Sequence, residues 1–119
     1  MSERSEAERV AEARGRITEL APAVAIARRA QGGAVFLDVR EPSEWNLFRI
    51  PGAVHVPIGT LADAAAAKVP RDRDVIVYCN AGARSILATD QLRAMGWTRV
   101  SSLGGGVRAW MDAGGELED

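Results

Sequence analysis

Two short and almost wholly apolar segments constrain the fold of this chain more than any other feature. Residues 34–39 read Ala-Val-Phe-Leu-Asp-Val and follow two glycines, and residues 74–78 read Asp-Val-Ile-Val-Tyr. Both have the length of a β-strand. A continuous apolar run of that length is typical of a strand that is covered on both faces. The chain is therefore expected to contain a sheet with other elements packed on its two sides.

Predicted helices alternate with predicted strands along the chain. Further strands are expected at residues 17–20, 53–56 and 99–103, and helices at residues 22–29, 43–48, 61–69, 85–95 and around Val107 and Trp110. Alternation of this kind predicts an α/β fold, with a parallel sheet of about five strands and helices on both faces. Ligands of such folds bind beyond the carboxyl ends of the strands.

The length of 119 residues fits one domain and leaves no room for two cores of ordinary size. Residues 1–16 are charged and rich in alanine, and they are expected to form an N-terminal extension that is either disordered or helical. Residues 17–119 are expected to form the single domain.

The charges of the chain are balanced, with 15 basic and 16 acidic residues and a formal net charge of −1. Such a chain has no general field that would attract nucleic acid or an anionic membrane surface. No apolar run approaches the roughly 20 residues that span a bilayer. Neither nucleic acid nor a membrane is expected as a partner.

The chain has one cysteine and one histidine. These counts exclude a disulfide within the chain and a metal site built from several cysteines. The charged N-terminus lacks the apolar segment of a secretory signal, and a lone thiol persists best in a reducing compartment. A cytoplasmic protein without a bound metal is therefore expected.

The strongest local signal is the strand–loop–helix segment that begins at Cys79. A buried strand runs into Cys79, a loop rich in small residues follows, and a helix starts at about Ser85. Such a turn points successive backbone N–H groups inward and favours an anion, here the thiolate. Arg84 adds a cation that can pair two oxygens of an anionic substrate. The alternative is that Cys79 is merely a small buried apolar residue.

Asp38 ends the other buried strand, and its carboxylate is expected to support the site by accepting hydrogen bonds from neighbouring loop N–H groups. The nearby Arg40, Glu41 and Glu44 are expected to form a solvated network of ion pairs rather than a binding site.

Several segments of the chain resemble the signatures of the rhodanese family, in the family's order and over roughly residues 17–115. The segments are Leu37-Asp38-Val39-Arg40-Glu41-Pro42-Ser43-Glu44-Trp45, Arg49-Ile50-Pro51-Gly52-Ala53-Val54-His55-Val56-Pro57, Tyr78-Cys79-Asn80-Ala81-Gly82-Ala83-Arg84-Ser85 and Leu103-Gly104-Gly105-Gly106. Phe48 and Arg49 stand where many relatives have Gly-His.

The resemblance implies the rhodanese fold and a sulfurtransferase in which Cys79 carries sulfur as a persulfide. The backbone amides of Asn80, Ala81, Gly82, Ala83 and Arg84 would hold the anionic sulfur, Arg84 would bind a small anionic donor such as thiosulfate, and Ser85 would support the loop. The acceptor would be cyanide, a thiol or a protein, and no cofactor is needed. The alternative is a sulfur-relay or binding module that docks on a cofactor-maturation or tRNA-thiolation enzyme and has weak activity of its own.

The length of the loop bears on the chemistry. Phosphatases and arsenate reductases of related folds place five residues between the cysteine and the arginine, whereas four residues separate Cys79 from Arg84. Tyr78 also stands where the phosphatase pattern has histidine. Both features favour sulfur transfer over phosphate hydrolysis.

Overall fold

A computed structural model describes residues 4–119, so residues 1–3 of the predicted N-terminal extension lie outside the described residues. The helices are α1 (Glu6–Arg14), α2 (Pro22–Gln31), α3 (Pro42–Leu47), α4 (Leu61–Lys68), α5 (Ala83–Ala94) and α6 (Gly106–Asp112). The strands are β1 (Glu19–Leu20), β2 (Ala34–Asp38), β3 (Val54–His55), β4 (Asp74–Tyr78) and β5 (Val100–Leu103).

The five strands form one parallel sheet in the order β1-β5-β4-β2-β3. The two apolar runs of the sequence pair along their whole length near its middle, from Ala34 beside Asp74 to Asp38 beside Tyr78. Strands at that place are covered on both faces, which is why both runs lack polar alternation. The predicted parallel sheet of about five strands is confirmed.

The core lies in two layers, one on each face of the sheet. Leu37 and Val77 face a layer that contains residues of α4 and α5, among them Leu61 and Leu92. The alternate side chains of the same strands, such as Phe36, face the opposite layer. That layer also holds buried residues of α2 and α6, namely Ala25, Val107 and Trp110. The prediction of helices on both faces is thus confirmed.

Residues of the predicted extension form helix α1, which packs against α5. The Ser5 hydroxyl accepts the Glu8 N–H at 3.1 Å, and the Glu8 carboxylate accepts the Ser5 N–H at 3.2 Å, a reciprocal cap that satisfies two free donors. Ala13 is buried, and Arg16 makes two hydrogen bonds to Asp90 of α5. The domain boundary at residue 17 stays a prediction.

None of the helices in the described part of the chain is long and apolar enough to cross a membrane. The parallel arrangement brings the carboxyl ends of β2 and β4 side by side at one edge of the sheet. Asp38 ends β2 and Cys79 directly follows β4, so both candidate site residues lie at this edge.

Candidate active site

Cys79 is 1% exposed, and its sulfur lies inside the turn that joins β4 to α5. The Sγ atom accepts the N–H of Gly82 at 3.1 Å and the N–H of Ser85 at 3.3 Å. Gly82 has φ of +114°, a left-handed conformation that suits glycine and lets the chain turn abruptly into α5. The turn therefore directs two backbone donors at one buried sulfur atom.

The five loop amides that were expected to hold the sulfur do not all contact it. Of the amides in residues 80–84, only that of Gly82 donates to Sγ among the contacts of the described residues. The carbonyl of Asn80 instead accepts the N–H of Arg108 at 3.1 Å. Ser85, expected to be only a supporting residue, donates its own N–H to Sγ. The Ser85 N–H lies in the first turn of α5 and therefore has no acceptor inside the helix. This position was the signal in the sequence that Ser85 could donate to the sulfur.

Buried hydroxyl groups fix Ser85 beneath the sulfur. The Ser85 Oγ lies 3.5 Å from the Cys79 Sγ, donates to the Gly82 carbonyl at 3.1 Å and lies 2.8 Å from the Ser102 Oγ. Ser102 is on β5 and is fully buried. Sequence reasoning missed it, although a serine pair in an otherwise apolar final strand is a visible signal.

The start of α6 supports the active-site turn from the other side. Val107 N–H donates to the Cys79 carbonyl at 2.9 Å, next to the contact between Arg108 and Asn80. Gly106 lies so close to this turn that a Cβ atom there would be 2.5 Å from the Asn80 carbonyl oxygen. The three consecutive glycines after β5 were the signal for this close approach, and sequence reasoning did not use it.

We expect Gly106→Ala to slow Cys79 chemistry by roughly 10- to 100-fold, because the new methyl group must displace the turn that aligns the amides. The measurement is the rate of Cys79 alkylation together with thermal unfolding. Gly114→Ala is the matched control. Gly114 also has positive φ, +89°, but a Cβ there meets nothing within 4 Å.

The control therefore also places a side chain at positive φ but does not touch the turn, and we expect it to change the alkylation rate by less than about 2-fold. Equal rates in the two variants would show that Gly106 does not hold the turn in place.

Asp38 and Arg40 form a buried ion pair at the end of β2, with exposures of 0% and 1%. The Asp38 carboxylate accepts the Arg40 backbone N–H at 2.9 Å and the guanidinium Nη2 at 2.8 Å. The same Nη2 donates to the Phe48 carbonyl at 2.6 Å. The prediction that Arg40 is solvated is wrong, because its guanidinium lies over the rings of Phe48 and Tyr78, 5.2 and 5.7 Å from their centroids.

The charge of Arg40 is retained in this buried position. Burial disfavours the guanidinium charge, but the hydrogen bonds and the charge of Asp38 outweigh it and hold the pKa of Arg40 above its ordinary value. Burial, reinforced by the nearby Asp38 charge, raises the pKa of Tyr78. The Tyr78 hydroxyl therefore stays neutral and accepts the Ile50 N–H at 3.2 Å.

Arg84, the expected donor-binding cation, is held by a carboxylate. Its two Nη atoms donate to the two carboxylate oxygens of Glu44 at 2.7 and 2.9 Å, and the side chains are 31% and 29% exposed. The Arg84 hydrogen bonds lower the pKa of Glu44 to about 2, and Glu44 in turn raises the pKa of Arg84. Glu44 is thus in a partly exposed ion pair, as predicted, but its partner is Arg84 of α5 and not the neighbouring Arg40.

A cleft of about 220 Å³ lies beside the active-site turn. It is lined by Arg40, Glu44, Leu47, Phe48 and Asn80. Leu47 on its rim is 70% exposed. Two larger depressions adjoin the start of β5 at Val100, the end of the strand opposite to the site. The small cleft therefore lies at the same edge of the sheet as Cys79.

Comparison with known proteins matches residues 21–113 to the family model of the rhodanese-like domain. A sulfurtransferase of Allochromatium vinosum is 40% identical over 76 residues, which are 64% of this chain and 70% of that protein. The thiosulfate sulfurtransferase PspE of Escherichia coli is 37% identical over 71 residues, 59% of this chain and 68% of that protein.

A solved structure covers nearly the whole chain. It is a protein of unknown function from Rhodopseudomonas palustris, described as a possible tyrosine phosphatase. Its TM-score is 0.89 at 31% sequence identity, and the match covers 99% of this chain and 97% of that one.

Proposed function

Because the chain belongs to the family of rhodanese-like domains, we propose that it is a sulfurtransferase that carries a sulfane sulfur on Cys79. The observation that carries this proposal is the buried Cys79 Sγ with two backbone N–H groups directed at it. Donors of this kind stabilise a negative charge on sulfur, both in the thiolate and in the persulfide formed from it. Thiosulfate is the proposed donor, and cyanide or a thiol is the proposed acceptor.

The proposed reaction has two steps that balance in atoms and charge. The Cys79 thiolate attacks the outer sulfur of thiosulfate, a new S–S bond forms, and the old S–S bond breaks with its electron pair leaving on sulfite. The product is a Cys79 persulfide anion. Cyanide then attacks the terminal sulfur, and thiocyanate departs while the Cys79 thiolate is restored.

The loop residues have distinct proposed roles in this reaction. The amides of Gly82 and Ser85 hold the charge of the sulfur, and Arg84 pairs the anionic group of the donor. Asn80, Ala81 and Ala83 form the remaining wall against which the donor lies, since Asn80 lines the cleft beside the turn.

A phosphatase is the second candidate for the chemistry, because the R. palustris protein is described as a possible tyrosine phosphatase. A phosphatase loop must bind the oxygens of a phosphate group around a sulfur that points at phosphorus. Here the two donating amides both contact the sulfur itself, and only four residues lie between Cys79 and Arg84. Both observations favour a single additional sulfur atom over a whole phosphate.

A sulfur-relay module is the second candidate for the biological role. The chain has no second cysteine, so an external acceptor must take the sulfur from Cys79. The exposed Leu47 at the rim of the cleft allows contact with a protein acceptor, such as a cofactor-maturation or tRNA-thiolation enzyme. A reducing cytoplasmic location is proposed with this role, because a lone reactive thiol needs it.

The chemistry is tested by intact-mass measurement of the purified protein before and after addition of thiosulfate. We expect a gain of one sulfur atom that disappears when cyanide is added and thiocyanate forms. In the same preparation, hydrolysis of a small aryl phosphate should stay at the background rate. Cys79-dependent phosphate release without a sulfur adduct would replace the sulfurtransferase proposal with the phosphatase one.

A further inference from the structure

Glu44 already pairs with Arg84, the cation that the proposed donor needs. We propose, on the basis of the proposed function, that Glu44 competes with the donor for Arg84 and so determines which donor charge is accepted. Glu44 is a positioning residue, because it acts through Arg84. Donors of low charge, such as a monoanionic thiosulfonate, are then favoured over the thiosulfate dianion.

Geometry makes this competition direct. Both Nη atoms of Arg84 are used by the two oxygens of Glu44 at 2.7 and 2.9 Å. An anionic donor that binds the end of the guanidinium through both Nη atoms needs the same two N–H directions and must displace the Glu44 carboxylate. A donor that binds the Nε side instead meets a guanidinium whose charge Glu44 already offsets.

The surrounding cleft does not replace the lost cation. Arg40 is the guanidinium in the lining of the cleft, and Asp38 neutralises it in a buried pair. Once displaced, Glu44 remains on the cleft wall as an unpaired negative charge. A dianion meets more repulsion from this charge than a monoanion does.

Glu44 is also held in place from its own helix. Its Oε1 accepts the N–H of Glu41 at 3.0 Å at the start of α3. The carboxylate is thus fixed beside Arg84 before any donor arrives. Its pKa of about 2, lowered mainly by the Arg84 hydrogen bonds, keeps it charged throughout the neutral range in which the reaction would be measured.

The decisive variant is Glu44→Gln, which retains an oxygen for the Glu41 N–H but removes the negative charge. If the pair limits the free fraction of Arg84, the half-saturating thiosulfate concentration for adduct formation should fall by roughly 3- to 20-fold. The limiting rate should change by less than about 2-fold, because the Glu44 charge opposes donor binding while the Gly82 and Ser85 amides at the Cys79 sulfur are unchanged. For methanethiosulfonate the half-saturating concentration should fall by less than about 3-fold.

Two further variants control this test. Glu41→Gln makes the same change in net charge near Arg84 without removing the Arg84 partner, and it should leave the half-saturating thiosulfate concentration within about 2-fold of wild type. Glu44→Asp keeps the charge on a shorter side chain that cannot hold all its contacts, and it should give a smaller fall than Glu44→Gln.

The quantities are measured in single turnovers by quenching and intact-mass analysis. An unchanged or raised half-saturating thiosulfate concentration in Glu44→Gln would overturn the inference, and so would equal falls for the two donors. Failure of the proposed function gives a different result. In that case no sulfur adduct forms on the wild-type protein or on any variant with either donor, and the inference falls with it.

Discussion

Cys79→Ser is expected to abolish sulfur transfer, with turnover at the level of a reaction without protein. The hydroxyl of serine is far less nucleophilic than a thiolate and cannot carry a sulfane sulfur. The replacement is also structurally mild, because the Gly82 and Ser85 amides that contact Sγ remain as donors for a hydroxyl oxygen. The measurements are intact mass after thiosulfate and thiocyanate formation from cyanide.

Cys79 is the only cysteine of the chain, so no other thiol can form a sulfur adduct. Any sulfur adduct on the serine variant would have to reside elsewhere. Thermal unfolding close to that of the wild-type protein is the control that the domain is intact. Thiocyanate formation that persisted in the folded variant would disprove the role of Cys79 as the sulfur carrier.

Asp38→Ala is expected to lower the free energy of unfolding by about 3–5 kcal/mol, because it leaves a buried guanidinium without its counter-charge. Arg40 is 1% exposed, and its remaining contact in this layer is the uncharged Phe48 carbonyl. A loss of this size is a large part of the total of roughly 5–15 kcal/mol for an ordinary domain. Denaturant unfolding of the wild-type and variant proteins measures it.

A second replacement separates the lost charge from a general loss of packing. Asp38→Ala combined with Arg40→Met removes both charges and keeps an apolar side chain of similar reach in the layer. We expect this double variant to be more stable than Asp38→Ala alone. A double variant no more stable than Asp38→Ala would show that the uncompensated charge is not the cause of the instability.

The order and type of the elements could be predicted from the sequence because they depend on local patterns. The apolar runs at residues 34–39 and 74–78 correspond to β2 and β4, and Pro22 and Pro42 begin α2 and α3. A strand covered on both faces needs apolar residues at successive positions, and a proline suits the first turn of a helix. Each of these requirements is met within a few neighbouring residues, so the sequence displays it directly.

The placement of the cysteine could also be predicted, but the identity of its hydrogen-bond donors could not. That Cys79 begins a turn between a buried strand and a helix is visible in a single segment of the sequence. Which amides reach the sulfur depends on how the turn rests on Gly106, a residue of a different element. The role of Ser102 likewise depends on β5 lying next to β4 in the sheet.

Sequence alone thus determined the strands, the helices and the position of the thiol, while the tertiary structure decided the partners of the charged side chains. Arg40 and Glu44 have the composition of a solvated surface segment, yet one is buried on Asp38 and the other binds Arg84, 40 positions away. Asp38 is only two positions from Arg40, but whether that pair is buried depends on what packs over it, and this packing is tertiary. The Glu44–Arg84 pair forms only because the parallel sheet brings the segments that follow β2 and β4 together.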